Sequence, residues 1–220
     1  GTVPVLSDFH RQRAQNPGAL PPTNEINPLY RILDQRLTRL FNANSRTLFD
    51  GRRLGLEREA LRVAPDGQIS QVPHPVALGS ALTHPFITTD YSEALLEFIT
   101  PPLPAVDQVL RFLDDNHRFV YRHIGDELLW AASMPCILAG EASIPIAEYG
   151  RSNLGFMKHV YRRGLAWRYG RIMQVIAGIH FNFSLPDEFW VAFQDQEGDR
   201  RPLQDFRSES YFGLIRNLHR

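Results

Sequence analysis

From Gly178 to Ser184 the chain alternates strictly, with Gly178, His180, Asn182 and Ser184 on one parity and Ile179, Phe181 and Phe183 on the other. A helix would scatter these residues around its circumference, whereas a strand collects each set on its own face. The pattern predicts a strand from Ile172 to Ser184, stopped by Leu185-Pro186. Gln174 joins the polar face if that strand runs without a bulge. The phenylalanines are expected to bury one face, leaving His180 and Asn182 presented together on the other. Taken alone, His180 reads as a half-buried histidine with an ordinary hydrogen-bond partner.

Four acidic residues, in three segments, could share such a face. Glu57 and Glu59 lie two apart in Leu56-Glu57-Arg58-Glu59-Ala60. On a strand both point the same way, with Cα atoms about 6.6 Å apart. They could also form a solvated face with Arg58 or Arg62 as ion-pair partners. Asp90 follows Thr88-Thr89 at a turn, where a carboxylate can serve simply as a cap. Glu97 sits among Leu95, Leu96, Phe98 and Ile99, and a glutamate buried in so apolar a run requires a partner. Any arginine would serve. If a sheet gathers all four, two carboxylates about 4 Å apart repel by ~4 kcal/mol at an effective dielectric near 20. Several such pairs exceed the ~5–15 kcal/mol that holds a domain together. Protonation or cations must resolve the conflict. Hard divalent ions such as Mg²⁺ prefer carboxylate oxygens, and a histidine in the set also suits Mn²⁺. Such a cluster would assist chemistry on phosphate.

The remaining segments supply scaffold. Residues 1–27 are rich in Pro, Asn and Gln without apolar periodicity, and read as a mobile arm. Asn27 and Pro28 open a helix whose stripe of Leu29, Ile32, Leu33, Leu37, Leu40 and Phe41 should be buried, ending near Asn42-Ala43-Asn44. The run from Arg53 to Val63 and the turn Pro65-Asp66-Gly67-Gln68 read as strand, turn, strand. Residues 94–100 end as a strand before Pro101-Pro102. A helix over about 104–124 should bury Val106, Val109, Leu110, Leu113, Val120 and Ile124. Another starts at Ser152 and carries Val160, Tyr161 and Leu165, and helices at 187–195 and 205–220 follow. Residues 28–220 show no repeat and no linker.

Composition removes several functions. The 24 basic and 24 acidic side chains cancel, so the basic excess of a phosphate-neutralising nucleic-acid binder is missing. One of the 24 basic residues, Lys158, is the sole lysine, and no glycine loop precedes it. A P-loop is therefore excluded, and a Schiff-base mechanism would rest on Lys158 alone. Cys136 is the single cysteine, which rules out an internal disulfide and suits a reducing, cytoplasmic setting. The longest apolar run, Leu128 to Leu138, is broken by Pro135 and falls short of the ~20 residues of a membrane span. The first thirty residues contain no apolar signal core.

Several ordered motifs resemble the proteobacterial type of glutamate–cysteine ligase. They are Gly55-Leu56-Glu57-Arg58-Glu59-Ala60-Leu61-Arg62-Val63, Ala77-Leu78-Gly79-Ser80-Ala81-Leu82-Thr83-His84, and Ile87-Thr88-Thr89-Asp90-Tyr91. The series continues with Glu93-Ala94-Leu95-Leu96-Glu97-Phe98-Ile99-Thr100-Pro101, Ser133-Met134-Pro135-Cys136, Tyr161-Arg162-Arg163-Gly164-Leu165, and Gly178-Ile179-His180-Phe181-Asn182-Phe183-Ser184. The resemblance runs from about Leu54 to Arg220. It implies an α+β fold, a curved and mostly antiparallel sheet flanked by helices, like the glutamine synthetase catalytic domain but incomplete. It implies ATP-dependent joining of the glutamate γ-carboxylate to the cysteine amine through an acyl phosphate, the first step of glutathione synthesis. Glu57, Glu59, Asp90, Glu97 and His180 fall on ligand positions for Mg²⁺ or Mn²⁺. Tyr91, Tyr161, Leu165 and Gln174 fall on or near the cysteine pocket, and Asn182 near the nucleotide. L-glutamate, L-cysteine and ATP are the implied partners of a monomer that uses neither nucleic acid nor membrane. Family members run to more than twice this length, so the chain resembles their N-terminal portion. A ligase for another amine, or a chain without activity of its own, are the alternatives.

Overall fold

The computed structural model describes residues 28–42 and 45–218, and the expected arm over 1–27 lies outside them. In chain order the elements are α1 (Pro28–Asn42), β1 (Arg53–Val63), β2 (Ile87–Thr89), β3 (Leu95–Ile99), α2 (Val106–Tyr121), β4 (Leu128–Leu129), α3 (Asn153–Tyr169), β5 (Ile179–Ser184), α4 (Asp187–Glu197) and α5 (Leu203–Leu218). Two compact units emerge, one from Leu48 to Phe189 and one from the described residues up to Thr47 and from Trp190 onward. No composition shift marks either division.

The larger unit is organised by β1. Antiparallel β3 lies along one edge, with β2 beyond it, and β5 and β4 follow one another along the other edge. Alternation sends successive residues of β1 to two cores. Leu61 and Val63 join Leu95, Tyr91, Ile144 and Val175 on one face. Ala60 joins Leu96, Phe98, Ile87 and Val120 on the other, where α2 packs. Full burial of each large apolar side chain contributes about 1.5–3 kcal/mol. Helix α3 starts because the Ser152 side chain accepts from the Gly155 N–H at 3.1 Å, and Gly170 ends it at φ 77°.

Several expectations need correction. The strand expected over 172–184 begins only at Ile179, because Ile172–Val175 forms a 3-10 turn, and Gln174 therefore leaves the polar face. Ile179 and Phe181 are 69% and 64% exposed and Phe183 is 37% exposed, so this face of β5 is not buried. Helix α2, which covers the same side of the sheet, packs on β1 and β3. Val106 and Leu110 of α2 are likewise exposed, while Val109, Val120 and Ile124 are buried. After the Asp66-Gly67 turn there are single bridges, Val63 to Ile69 and Gln68 to Ile137, in place of a second strand. In the smaller unit α1 forms as expected, but Ile32, Leu33 and Leu37 stay exposed. Periodicity suffices to form a helix, whereas burial needs a partner surface. Arg36 pairs with Glu197 at 2.7 Å within that unit.

The contact between α2 and the sheet includes a titratable group. Arg58 donates to Nε2 of His117 at 2.7 Å, and the imidazole stands edge-on to Phe98 with centroids 4.6 Å apart. Burial, reinforced by the Arg58 charge and opposed by Asp114, pulls the His117 pKa down to about 4. The unfolded chain takes up this proton near pH 6.5 and the folded chain only near pH 4. The associated stability is complete above pH 6.5 and is lost as pH falls to about 4. Allowing for partial exposure, the loss is roughly 2 kcal/mol. Urea unfolding across this range should show a steeper decline in the parent chain than in His117→Gln, and parallel profiles would contradict the assignment.

Candidate active site

Strand register brings the acidic segments together. Glu59 stands opposite Glu97 across β1 and β3, Glu97 opposite Thr88 across β3 and β2, and Glu57 opposite His180 across β1 and β5. Glu57, Glu59, Glu97 and His180 thus occupy one face of three adjacent strands. Asp90 follows β2 at its rim, where its N–H donates to the Leu95 carbonyl at 3.0 Å.

Polar contacts seat these groups differently. The Glu57 carboxylate pairs with His180 Nδ1 at 2.9 Å and accepts from Asn182 Nδ2 at 2.8 Å. The His180 bond, followed by the Asn182 bond, holds Glu57 below the usual carboxylate range, and the same contact raises the His180 pKa. Glu59 accepts from the Gly178 N–H at 2.6 Å. Burial nevertheless pushes its carboxyl up against that bond, with the Asp90 and Glu57 charges adding to the rise. Burial also raises Glu97, with Asp90, Glu59 and Glu57 contributing. The neighbouring carboxylates thus add to the rise that burial causes in Glu59 and Glu97.

The alternative partners are engaged elsewhere. Arg58 binds His117 and Arg62 binds Glu127 at 2.7 Å, so neither neutralises the glutamate pair. Two further residues position the rim, and the sequence reading assigned them no role. The Tyr149 hydroxyl donates to the carbonyls of Thr89 and Asp90 at 2.7 and 3.0 Å. Arg162 Nε donates to the Asp90 carbonyl at 2.5 Å, and its guanidinium lies over the Tyr149 ring, 4.7 Å from the centroid. Arg162 belongs to a motif already noted, but these contacts are to backbone carbonyls, which leave no periodic trace.

The expected substrate residues are spread around the first core. Tyr91 is buried within it, and Leu165 of α3 packs against it. Tyr161, one turn before Leu165, is exposed, and Gln174 lies in the 3-10 turn beside the buried Val175. Asn182 lines a cavity of about 260 Å³ together with Arg53, Thr100 and Ser184.

Among the described residues no three His, Cys, Asp or Glu side chains converge on one metal position. The Glu57 and Glu59 carboxylates turn toward their protein donors in this arrangement. The donor set itself fits a hard divalent cation: four carboxylates, two of them raised by burial and mutual charge, and one imidazole.

Comparison with known proteins adds independent findings. The family model for glutamate–cysteine ligase matches residues 37–220. The chain is 57% identical over 188 residues to the glutamate–cysteine ligase of Alcanivorax borkumensis, covering 86% of this chain and 36% of that relative. It is 59% identical over 189 residues to that of Hahella chejuensis, with coverage of 86% and 36%. The chain thus spans about a third of the length of these curated relatives. The solved glutamate–cysteine ligase of Francisella tularensis, in complex with AMP, superposes with TM-score 0.65 at 40% identity over 68% of this chain and 30% of that one. A bifunctional glutathione synthetase from Pasteurella multocida gives TM-score 0.73 at 31% identity over 83% of this chain and 23% of that one. The α+β architecture with its antiparallel sheet is therefore the glutamine synthetase-like one. Among the described residues no helix is long and apolar enough to cross a membrane.

Proposed function

We propose a function from one premise: this chain belongs to the glutamate–cysteine ligase family. In the whole protein it contributes the cation-holding face for ATP-dependent joining of the glutamate γ-carboxylate to the cysteine amine, the first step of glutathione synthesis. The carboxylate attacks the γ-phosphorus of ATP and ADP leaves. The amine then attacks the acyl phosphate, and phosphate and a proton depart. Glu57, Glu59, Asp90, Glu97 and His180 would hold Mg²⁺ or Mn²⁺, which when bound would neutralise the transferring phosphoryl group.

The chain's own residues prepare that face. Asn182 and His180 fix the Glu57 carboxylate, Gly178 fixes Glu59, and Tyr149 with Arg162 anchors the backbone that carries Asp90. Asn182, at its cavity, is the proposed nucleotide contact, and Tyr91, Tyr161, Leu165 and Gln174 the proposed surroundings of cysteine. A cytoplasmic monomer suits this role. The observation that carries the reading is the strand register that places three glutamates and His180 on one face.

A chimera tests it, with this chain replacing the matched segment of the Alcanivorax borkumensis relative. ADP release should require both glutamate and an amine, with cysteine or 2-aminobutyrate preferred. A strong preference for an unrelated amine would assign another ligase activity, and the absence of ATP turnover in a folded chimera would sink the proposal.

A further inference from the structure

A groove of about 520 Å³ lies on another side of α3, lined by Glu141, Ile146, His159, Arg163, Trp167 and Arg171. His159, Arg163 and Trp167 recur every four residues and share one face of the helix. Tyr161 and Leu165 are displaced from them by two residues, about 200° around the axis. The groove therefore lies on the opposite side of α3 from Tyr161 and Leu165.

Its polar groups are only partly engaged. Arg163 forms no hydrogen bond or ion pair among the described residues, and the Trp167 ring is 92% exposed. Arg171 commits one nitrogen, Nη1, to the Ile144 carbonyl at 2.9 Å, which leaves its other N–H groups available. His159 Nδ1 lies 3.0 Å from the Ala147 carbonyl, an acceptor, so Nδ1 carries the proton of that bond. Glu141 is seated where Gly170 lacks a side chain: a Cβ at Gly170 would stand 2.5 Å from the Glu141 carboxylate. A second observation comes from the core behind the groove. Among the described residues the Tyr91 hydroxyl, also assigned to the cysteine surroundings, is buried without a hydrogen-bond partner, and the charges acting on it are Arg171, Glu141 and Arg162, the first two of which line the groove. A buried hydroxyl is rarely left unsatisfied.

We propose that this groove binds a small organic anion, its oxyanion held by Arg163 and Arg171 and its flat body lying on Trp167. Two guanidinium groups against one carboxylate give the groove a positive excess, and their planar forks match carboxylate or phosphate oxygens. An indole face accepts a flat ring. Glu141 disfavours crowded polyanions and selects for one anionic group. None of the groove-lining residues belongs to the proposed metal-holding face.

The test uses the full chain in buffer containing a chelator, so that the acidic face holds no cation. Benzoate, phenyl phosphate and inorganic phosphate are titrated separately while the three tryptophan indole N–H signals are followed by NMR. Trp167→Phe assigns the Trp167 signal. Benzoate or phenyl phosphate should shift that signal saturably, with the tighter of the two identifying carboxylate or phosphate as the preferred oxyanion. Arg163→Ala, which removes no hydrogen bond or ion pair among the described residues, should weaken binding tenfold or more. Arg171→Lys, which retains a donor for Ile144, should also weaken it. Failure to saturate with either ring-bearing probe overturns the proposal, as does unchanged affinity in both arginine variants. Equal binding of inorganic phosphate overturns the part assigned to Trp167.

Discussion

Arg62→Met is expected to destabilise the sheet unit by about 3–5 kcal/mol, a large share of a domain's ~5–15 kcal/mol. The Arg62 side chain is wholly buried. Nη1 pairs with Glu127 at 2.7 Å, and Nη2 donates to the carbonyls of Val72 and Glu93 at 2.7 and 3.1 Å. Methionine fills much of the same volume but leaves Glu127 with a side chain only 10% exposed and no counter-charge. The pair itself is imperfect, since Arg62 Nε and Glu127 Oε1 have no partners among the described residues. Replacing both residues with methionine should therefore restore most of the loss, because an apolar pair avoids two desolvation costs. Urea unfolding of the single and double variants reads both effects. A single-variant cost below about 1 kcal/mol would show that Glu127 finds other solvation. The site also feels this residue. Arg62 steadies the Glu93 carbonyl, and the Glu93 carboxylate accepts from the N–H groups of His74 and Glu148, both at 2.8 Å. Those bonds fasten the turn between Asp90 and Glu97.

Arg62 also illustrates where sequence reading stops. The parity of Glu57 and Glu59 and the alternation of His180 and Asn182 follow from the two-residue period of a strand. The common face was therefore legible once the strands were recognised. Which segments meet was not, and the register came into view only with Glu59 opposite Glu97 and Glu57 opposite His180. Arg58 and Arg62 looked like partners for the adjacent glutamates because they are close in sequence. On a strand, however, they point to the opposite face, where His117 and Glu127 arrive from distant elements. Gln174 was misplaced because Ile172 to Ala177 is almost uniformly apolar, and such a run does not distinguish strand from 3-10 turn. The exposed stripes of α1 and β5 make a related point. Periodicity determines the type of element, but burial is decided by surfaces contributed from elsewhere in the chain.

Glu57→Gln in the chimeric ligase is expected to lower kcat by about 10²-fold or more, the scale of removing one preorganised electrostatic group from a reacting centre. The substitution is nearly isosteric. A glutamine oxygen can still accept from Asn182, and its amide can donate to a neutral His180, so β1 and β5 keep their cross-strand bridge. The change removes the charge. Glu57 is held ionised by its bonds to His180 and Asn182, whereas burial raises both Glu59 and Glu97. Among the three glutamates it is thus the one whose negative charge the fold favours, and its loss should weaken the proposed hold on a cation. Circular dichroism and the urea midpoint should stay close to those of the parent chimera, while the metal concentration needed for half-maximal rate should rise. A kcat within twofold of the parent, in a folded variant, would remove Glu57 from the metal-holding set. A parallel loss of fold and rate would instead assign the Glu57–His180 bridge a structural role.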